Sequence, residues 1–163
     1  MTVTDVRKDA TACTMEVISE FEAPIAAVWQ LWADPRKLER WWGPPSYPAT
    51  FVDHDLRPGG NVTYFMVGPE GDKHHGWWKV VAVDAPNRLE VDDGFADDNG
   101  VPNPEMPVTR MVLTVDAVAE GRTRMTIAST FPSVEAMEQM IAMGMEEGIK
   151  EALGQIDAVM LAA

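Results

Sequence analysis

The sequence has a single cysteine and no arrangement of residues that is typical of a metal site or a nucleophilic active site. Because Cys13 stands alone, an intramolecular disulfide is excluded, as is usual for chains of a reducing compartment. The three histidines, His54, His74 and His75, lack metal-ligand spacing, and there is no Gly-x-Ser-x-Gly elbow or phosphate-binding loop. We therefore expect no metal and no cofactor.

Basic residues are scarce. The chain has 13 Lys and Arg against 26 Asp and Glu, a formal net charge of -13. Because such a field repels phosphate backbones and anionic lipid headgroups, we expect neither a nucleic-acid partner nor a membrane partner. Residues 1–9 lack the apolar core of a signal peptide, and no run approaches the ~18 apolar residues of a membrane span. These patterns predict a cytoplasmic protein.

The 163 residues, 46% of them hydrophobic, are enough for one domain with its own core. We predict a single domain over residues 11–162, preceded by a lead-in of residues 1–10. Apolar residues alternate from position 13 to 21, which predicts the first strand. Two short helices follow, the first opening at Pro24 and the second ending before Gly43-Pro44-Pro45.

The middle of the chain is rich in predicted strands. Alternating patterns between Gly- and Pro-containing turns predict strands over 47–56, 61–67, 74–83, 88–93, 108–118 and 122–131. The segment 94–107 is interpreted either as a lid, together with 43–47, or as a plain solvated connection. A continuous helix is predicted from Ser133 to Leu161, with a broad apolar band.

These elements predict an α+β protein. Consecutive hairpins make the sheet antiparallel, and one long helix must lay its apolar band on one face of that sheet. The expected architecture is a helix-grip fold, in which a curved antiparallel sheet of six to seven strands wraps around the C-terminal helix.

Three features of the sequence indicate an apolar pocket between helix and sheet. Gly144, Gly148 and Gly154 stand inside the predicted helix, either for close packing on a strand or to leave room for a ligand. Eleven methionines and several strand aromatics suit an adaptable wall, although an ordinary core also uses them. The predicted cavity-lining residues are Trp42, Tyr47, Tyr64, Met66, Trp78, Phe95, Met111, Met137, Ile141, Met145, Gly148 and Ile149.

Trp77 and Trp78 are neighbours on a predicted strand, so their side chains point to opposite faces. Trp78 shares its face with Val80 and is predicted to lie inside, whereas Trp77 shares its face with Lys79. An exposed aromatic patch that includes Trp77 would favour a protein-interaction surface.

Acid–base chemistry is the remaining catalytic alternative. His54, His74 and Asp93 share strand faces with apolar residues, and each offers one polar group to a pocket. A bulge at Gly76 would bring in His75 instead of His74. The competing interpretation is that all of these are surface or capped polar residues.

Four ordered stretches carry a resemblance to a known family. They are Phe21-Glu22-Ala23-Pro24 before Val28-Trp29; Arg40-Trp41-Trp42-Gly43-Pro44; Asp55-Leu56-Arg57-Pro58-Gly59-Gly60 with Pro86-Asn87-Arg88-Leu89; and Gly144-Met145-Glu146-Glu147-Gly148 before Gln155-Ile156-Asp157. With these stretches the chain resembles, over about residues 12–162, the START-like or helix-grip (SRPBCC) superfamily. The branch it resembles is that of activators of a heat-shock chaperone's ATPase.

The residue patterns and the resemblance together leave three alternative functions. The first is binding of a small apolar or aromatic ligand in a cavity between the sheet and the C-terminal helix. The second is an enzyme of polyketide cyclase type acting on such a ligand. The third is an interaction module, either a homodimer or a co-factor of the chaperone-activator kind with a role in the stress response. The first is the leading hypothesis, with a small apolar molecule as partner.

Overall fold

The computed structural model describes residues 2–161, in which eight strands form one antiparallel sheet. The strands are β1 (Thr2–Asp9), β2 (Thr14–Phe21), β3 (Ala49–His54), β4 (Asn61–Val67), β5 (Lys73–Asp84), β6 (Arg88–Ala96), β7 (Thr109–Ala119) and β8 (Arg122–Thr130). Their order across the sheet is β1-β2-β8-β7-β6-β5-β4-β3. The α+β class and the antiparallel sheet are confirmed, but eight strands are more than the six to seven predicted.

The additional strand is β1, where a lead-in was predicted. It pairs antiparallel with β2, with Val6 opposite Val17, so the lead-in interpretation is wrong for residues 2–9. Val3 and Val6 both pack against the core, although a spacing of three breaks the period of two. The register shifts between Val3 and Asp5, and this bulge returns both valines to one face.

The two predicted short helices are present as α1 (Ile25–Ala33) and α2 (Pro35–Trp41). Asp34 separates them, and its carboxylate accepts a hydrogen bond of 2.9 Å from the backbone N–H of Arg36. Leu31, Trp32 and Trp41 are almost completely buried, so the helices are anchored by their apolar faces.

Helix α2 also covers the outer edge of β3. Glu39 Oε1 accepts a hydrogen bond of 3.0 Å from the backbone N–H of Phe51, and Arg36 Nη2 donates one of 2.9 Å to the carbonyl of Phe51. The backbone N–H and C=O groups of Phe51, which point away from β4, therefore both have hydrogen-bond partners.

The C-terminal segment is not the continuous helix predicted from 133 to 161. It forms α3 (Val134–Ala142), α4 (Met145–Leu153) and α5 (Ile156–Leu161), beginning at the predicted cap, where Ser133 accepts from the N–H of Ala136 at 3.0 Å. The first break is at Gly144, whose φ of 90° is left-handed and ends a helix. After the second break, Gln155 donates to the carbonyls of Trp41 and Gly43 at 3.2 and 2.6 Å.

The core lies between the sheet and the helices and is centred on tryptophans. Trp32, Trp41 and Trp78 are fully buried, and the Trp32 and Trp41 ring centroids are 4.9 Å apart in an edge-to-face arrangement. The indole of Trp41 donates to the carbonyl of Leu31 at 2.9 Å, and that of Trp32 approaches Met125 Sδ at 3.3 Å.

Within residues 2–161, no helix combines the length and apolar character needed to cross a bilayer.

Candidate functional site

A cavity of about 300 Å³ lies between the sheet and the C-terminal helices. The sheet contributes side chains from β4, β6, β7 and β8: Tyr64, Met66, Asp93, Phe95, Met111, Ile127 and Ser129. The helical side is formed by the end of α2, the turn after it, the end of α3 and most of α4: Trp41, Trp42, Pro44, Met140, Met143, Gly144, Met145, Gly148, Ile149, Ala152 and Leu153.

The missing side chain of Gly148 leaves open space beside α4. A Cβ on Gly148 would meet only Pro44 Cγ, at 4.0 Å, so the position faces open space rather than a tightly packed strand. Of the two interpretations of the helix glycines, room beside the helix holds at Gly148. Gly144 also borders the cavity, where it breaks the helix.

Methionines form a large part of the apolar wall. Met66 and Met111 face the cavity from the sheet, and Met140, Met143 and Met145 face it from the helices. Thioether side chains have three rotatable bonds and fill irregular shapes, so this wall can adapt to the outline of a bound molecule.

A polar pair, Tyr64 and Asp93, interrupts the apolar wall on the sheet side. Tyr64 Oη donates a loose hydrogen bond of 3.4 Å to Asp93 Oδ1. Burial raises the pKa of Asp93 to about 7, against the opposing effect of the Tyr64 hydroxyl and the Trp78 indole, which favour the ionised form. Burial also raises the pKa of Tyr64, and the neighbouring Asp93 charge adds to that rise. Asp93 therefore exchanges its proton near neutral pH.

Two indole N–H groups lie beside this pair. Trp42 Nε1 and Trp78 Nε1 are buried and have no hydrogen-bond partner within residues 2–161. The Trp42 ring centroid is 6.0 Å from that of Tyr64, and the Trp78 centroid is 6.1 Å from it. Both indoles favour the ionised form of Tyr64 and so oppose the rise in its pKa, and of the two residues Trp42 lines the cavity.

The structure brings eight of the predicted lining residues together around the cavity: Trp42, Tyr64, Met66, Phe95, Met111, Met145, Gly148 and Ile149. The other four, Tyr47, Trp78, Met137 and Ile141, lie elsewhere. Trp78 is 0% exposed in the core behind the wall, which confirms that it points inward. Tyr47 packs edge-to-face on His74, with ring centroids 5.6 Å apart.

Met137 and Ile141 lie on α3. Met137 is part of the main core, and Ile141 packs against it. Their prediction assumed one helical band from α3 into α4, and the break at Gly144 changes the helical phase between them. For the same reason Met140 and Met143, which fall off the predicted band, line the cavity. Ser129, 2% exposed on β8, was also missed, since its small polar side chain carries no pocket signal in the sequence.

The histidines do not contribute to the cavity. His54 Nε2 is 3.0 Å from the carbonyl of Trp32, and exposed His74 is paired with Asp72. His75 is half-buried beside Phe65. Of the predicted acid–base candidates, Asp93 alone lines the cavity.

Gly76 forms no bulge with β4, because β4 and β5 pair in continuous register through it, with Tyr64 opposite Gly76, so the condition for bringing in His75 is not met. Trp77 is half-buried against Gly94 and donates to the carbonyl of Phe95 at 3.0 Å. Of the predicted lid segment 94–107, Phe95 lines the cavity, but it belongs to β6; of the other predicted lid segment, 43–47, Pro44 lines it. Within residues 2–161, no group of His, Cys, Asp and Glu is arranged to hold a metal ion.

Comparison with known proteins gives one family and several similar structures. The profile of the family described as activator of Hsp90 ATPase homolog 1-like protein matches residues 22–160. The crystal structure of protein Ms6760 from Mycobacterium smegmatis is 50% identical, with a TM-score of 0.89 and 96% of each chain covered. A solution structure of a protein from Arthrobacter aurescens is also 50% identical, with a TM-score of 0.94, covering 99% of this chain and 94% of that one.

A third similar structure, CalU16 from Micromonospora echinospora, is 18% identical with a TM-score of 0.61, covering 95% of this chain and 82% of that one. At this identity the likeness shows the fold alone. None of the curated proteins matches the chain.

Proposed function

Because the chain belongs to the family of activator of Hsp90 ATPase homolog 1-like proteins, with a helix-grip fold, we propose that it binds a small apolar or aromatic molecule between α4 and the sheet. The observation that carries this proposal is the cavity of about 300 Å³. Its volume lies at the lower end of the range of about 300–1,000 Å³ for ligand pockets.

The composition of the wall supports the same function. Aromatic and thioether side chains make up half of the lining residues, and the polar ones are few: Tyr64, Asp93 and Ser129. Ligand pockets typically combine a mainly apolar lining with a few polar groups that fix the orientation of the ligand.

Gly148 gives the sharpest test, because its missing side chain faces the cavity. Leucine at this position would fill part of the space while remaining compatible with a helix. We expect the uncharged fluorescent probe N-phenyl-1-naphthylamine to bind the wild type saturably and Gly148→Leu at least about tenfold more weakly. Glu147→Leu, which adds the same side chain at the neighbouring exposed position, is the control.

If the probe bound equally well to the wild type and to Gly148→Leu, the cavity beside Gly148 would not be its binding site. Native mass spectrometry of the protein purified from its own cells then identifies any retained molecule. A mass that is retained by the wild type and lost in Gly148→Leu supports the cavity as its site.

A second candidate function is favoured by one observation, the raised pKa of Asp93 inside an apolar cavity. A carboxyl that titrates near 7 is suited to general acid–base catalysis near neutral pH, as expected for an enzyme of polyketide cyclase type. The test is exchange of the α-protons of 2-tetralone in D₂O, followed by NMR. Acceleration by the wild type that Asp93→Asn loses would support catalysis, and equal rates would exclude this role for Asp93.

A further inference from the structure

Asp93 is an acid without a cationic partner. The residues that line the cavity in the described part of the chain include no Lys, Arg or His. The shifts in its pKa come from burial and from neutral donors, Tyr64 and Trp78. An ionised carboxylate in an apolar setting is costly unless a positive charge or several donors compensate it.

Two neutral donors, Tyr64 and Trp78, act on this carboxyl group. Tyr64 Oη donates to Asp93 Oδ1, and the indole of Trp78, opposite Asp93 across β5 and β6, favours its ionised form. They stabilise Asp93 as an acceptor, and Asp93 is itself one of the residues that face the open space. A ligand that carries a positive charge and a hydrogen-bond donor would supply what the Asp93 carboxylate lacks.

Aromatic rings surround the same part of the cavity. Trp42, Tyr64 and Phe95 line it together with Asp93. Ring faces attract a cation through their quadrupole, and the attraction increases where water is excluded. The net charge of -13 adds a field that attracts cations and repels carboxylate, phosphate and sulfate groups.

We infer that the cavity selects lipophilic ammonium ions, that is, amines with an aromatic or aliphatic body, whose charged nitrogen binds Asp93 between the rings of Trp42, Tyr64 and Phe95. This inference rests on the proposed function and specifies the chemical class of its ligand. It also assigns Asp93 as the residue that determines specificity.

Binding of an ammonium ion is coupled to the protonation of Asp93. The ion pairs with the carboxylate, so at a pH below the pKa of Asp93 the proton must leave before the pair forms. Among the described residues, Tyr64 is the other titratable group that lines the cavity, and burial keeps it protonated over this range. Affinity for an ammonium ion should therefore fall as the solution is acidified through neutrality, whereas affinity for an alcohol should not.

The experiment compares three probes that share one ring system and differ in charge: 1-naphthylmethylamine, 1-naphthalenemethanol and 1-naphthoate. Calorimetric titration above neutral pH should give the amine an affinity at least about tenfold higher than that of the alcohol, and the naphthoate the lowest affinity. Asp93→Asn should lose about tenfold or more in affinity for the amine and little for the alcohol.

Asp92→Asn is the matched control. Asp92 is the neighbouring residue on β6, but it points to the other face and pairs with Arg110 at 2.6 Å, so this variant should bind all three probes like the wild type. An amine that binds the wild type no better than the alcohol would overturn the inference, whether or not Asp93→Asn folds. An amine that binds Asp93→Asn as tightly as the wild type would overturn the role of Asp93.

The two proposals fail differently. If N-phenyl-1-naphthylamine and the naphthyl alcohol bind and the amine has no advantage, the cavity is a binding site without charge selectivity. If none of the probes binds, the proposed function itself fails.

Discussion

The hydroxyl of Tyr64 lies over the backbone of Gly76, the residue opposite it across β4 and β5, with no room for a side chain between them. A Cβ on Gly76 would be 2.5 Å from Tyr64 Oη, closer than real contacts allow. The absence of a side chain at Gly76 therefore determines where the phenol of Tyr64 lies on the cavity wall.

Gly76→Ala should displace the Tyr64 ring and weaken its hydrogen bond to Asp93. We expect a loss of about 1–3 kcal/mol in the free energy of unfolding, measured by urea denaturation, because the added methyl group overpacks the wall. Binding of N-phenyl-1-naphthylamine should weaken in parallel. In a double-mutant cycle with Tyr64→Ala, alanine at position 76 should cost less once the ring is gone. Additive losses would show that Gly76 does not act through Tyr64.

Asp93 should make stability depend on pH. Its pKa rises from an ordinary value of 3.8 to about 7 in the folded state, so between these values the folded state holds a proton that the unfolded state releases. The free energy of unfolding should therefore fall as pH rises through this window, by at most about 4 kcal/mol, and by less where water enters the cavity.

Asp93→Asn removes this dependence, and the comparison of the two proteins isolates it. Acids whose pKa is lowered by arginine, lysine or histidine partners, among them Glu90, Glu146 and Asp72, add stability as pH rises past their own pKa values in both proteins. Urea denaturation at a series of pH values should give curves that approach each other at low pH and separate towards neutrality. Parallel curves would contradict the burial of an ionisable Asp93.

Gly144→Ala should destabilise the break between α3 and α4. The φ of 90° at this residue is strained for alanine, at a cost of about 1–2 kcal/mol. Gly144→Asn should cost less, since asparagine tolerates the left-handed region better. Thermal unfolding followed by circular dichroism measures both. A stabilised alanine variant would instead indicate that the two helices can join into one, as the sequence pattern predicts.

Glu39→Ala should leave the backbone N–H of Phe51 without its acceptor. Removing one partner of a partly buried hydrogen bond costs about 1–3 kcal/mol, and urea denaturation should show a loss in this range. Arg40→Ala, at an exposed position on the same helix, is the control and should change stability little. Equal effects of the two substitutions would argue against the backbone contact as the cause.

Strands with a clean alternation were predictable from the sequence, and β4 has the predicted bounds of Asn61–Val67. Strand β1 was not, because the bulge between Val3 and Asp5 removes the period of two on which the prediction depends. Periodicity also cannot distinguish a glycine inside a helix from one in the left-handed conformation. The sequence pattern therefore continued through Gly144, where the chain breaks.

The same limit explains the outcome at the site. Met145, Gly148 and Ile149 lie together at the cavity because they share one helix, α4, where the 3.6-residue period applies. Met137 and Ile141 precede the break and pack in and against the core instead. Asp93 was recognised as a polar residue on an apolar strand face, but its place beside Tyr64 depends on the register across β4, β5 and β6, which the sequence does not reveal.

The hydrogen bonds of Glu39 and Arg36 to Phe51 have a consequence for behaviour at high concentration. An open sheet has two edge strands, and an unprotected edge recruits other chains into intermolecular β-pairing. At one edge, α2 occupies the backbone groups of Phe51, and at the other, β1 carries a bulge and the charged side chains of Asp5, Arg7 and Lys8. Both edge strands are therefore protected against intermolecular β-pairing. A second copy that extended the sheet at β3 would first have to displace the side chains of α2.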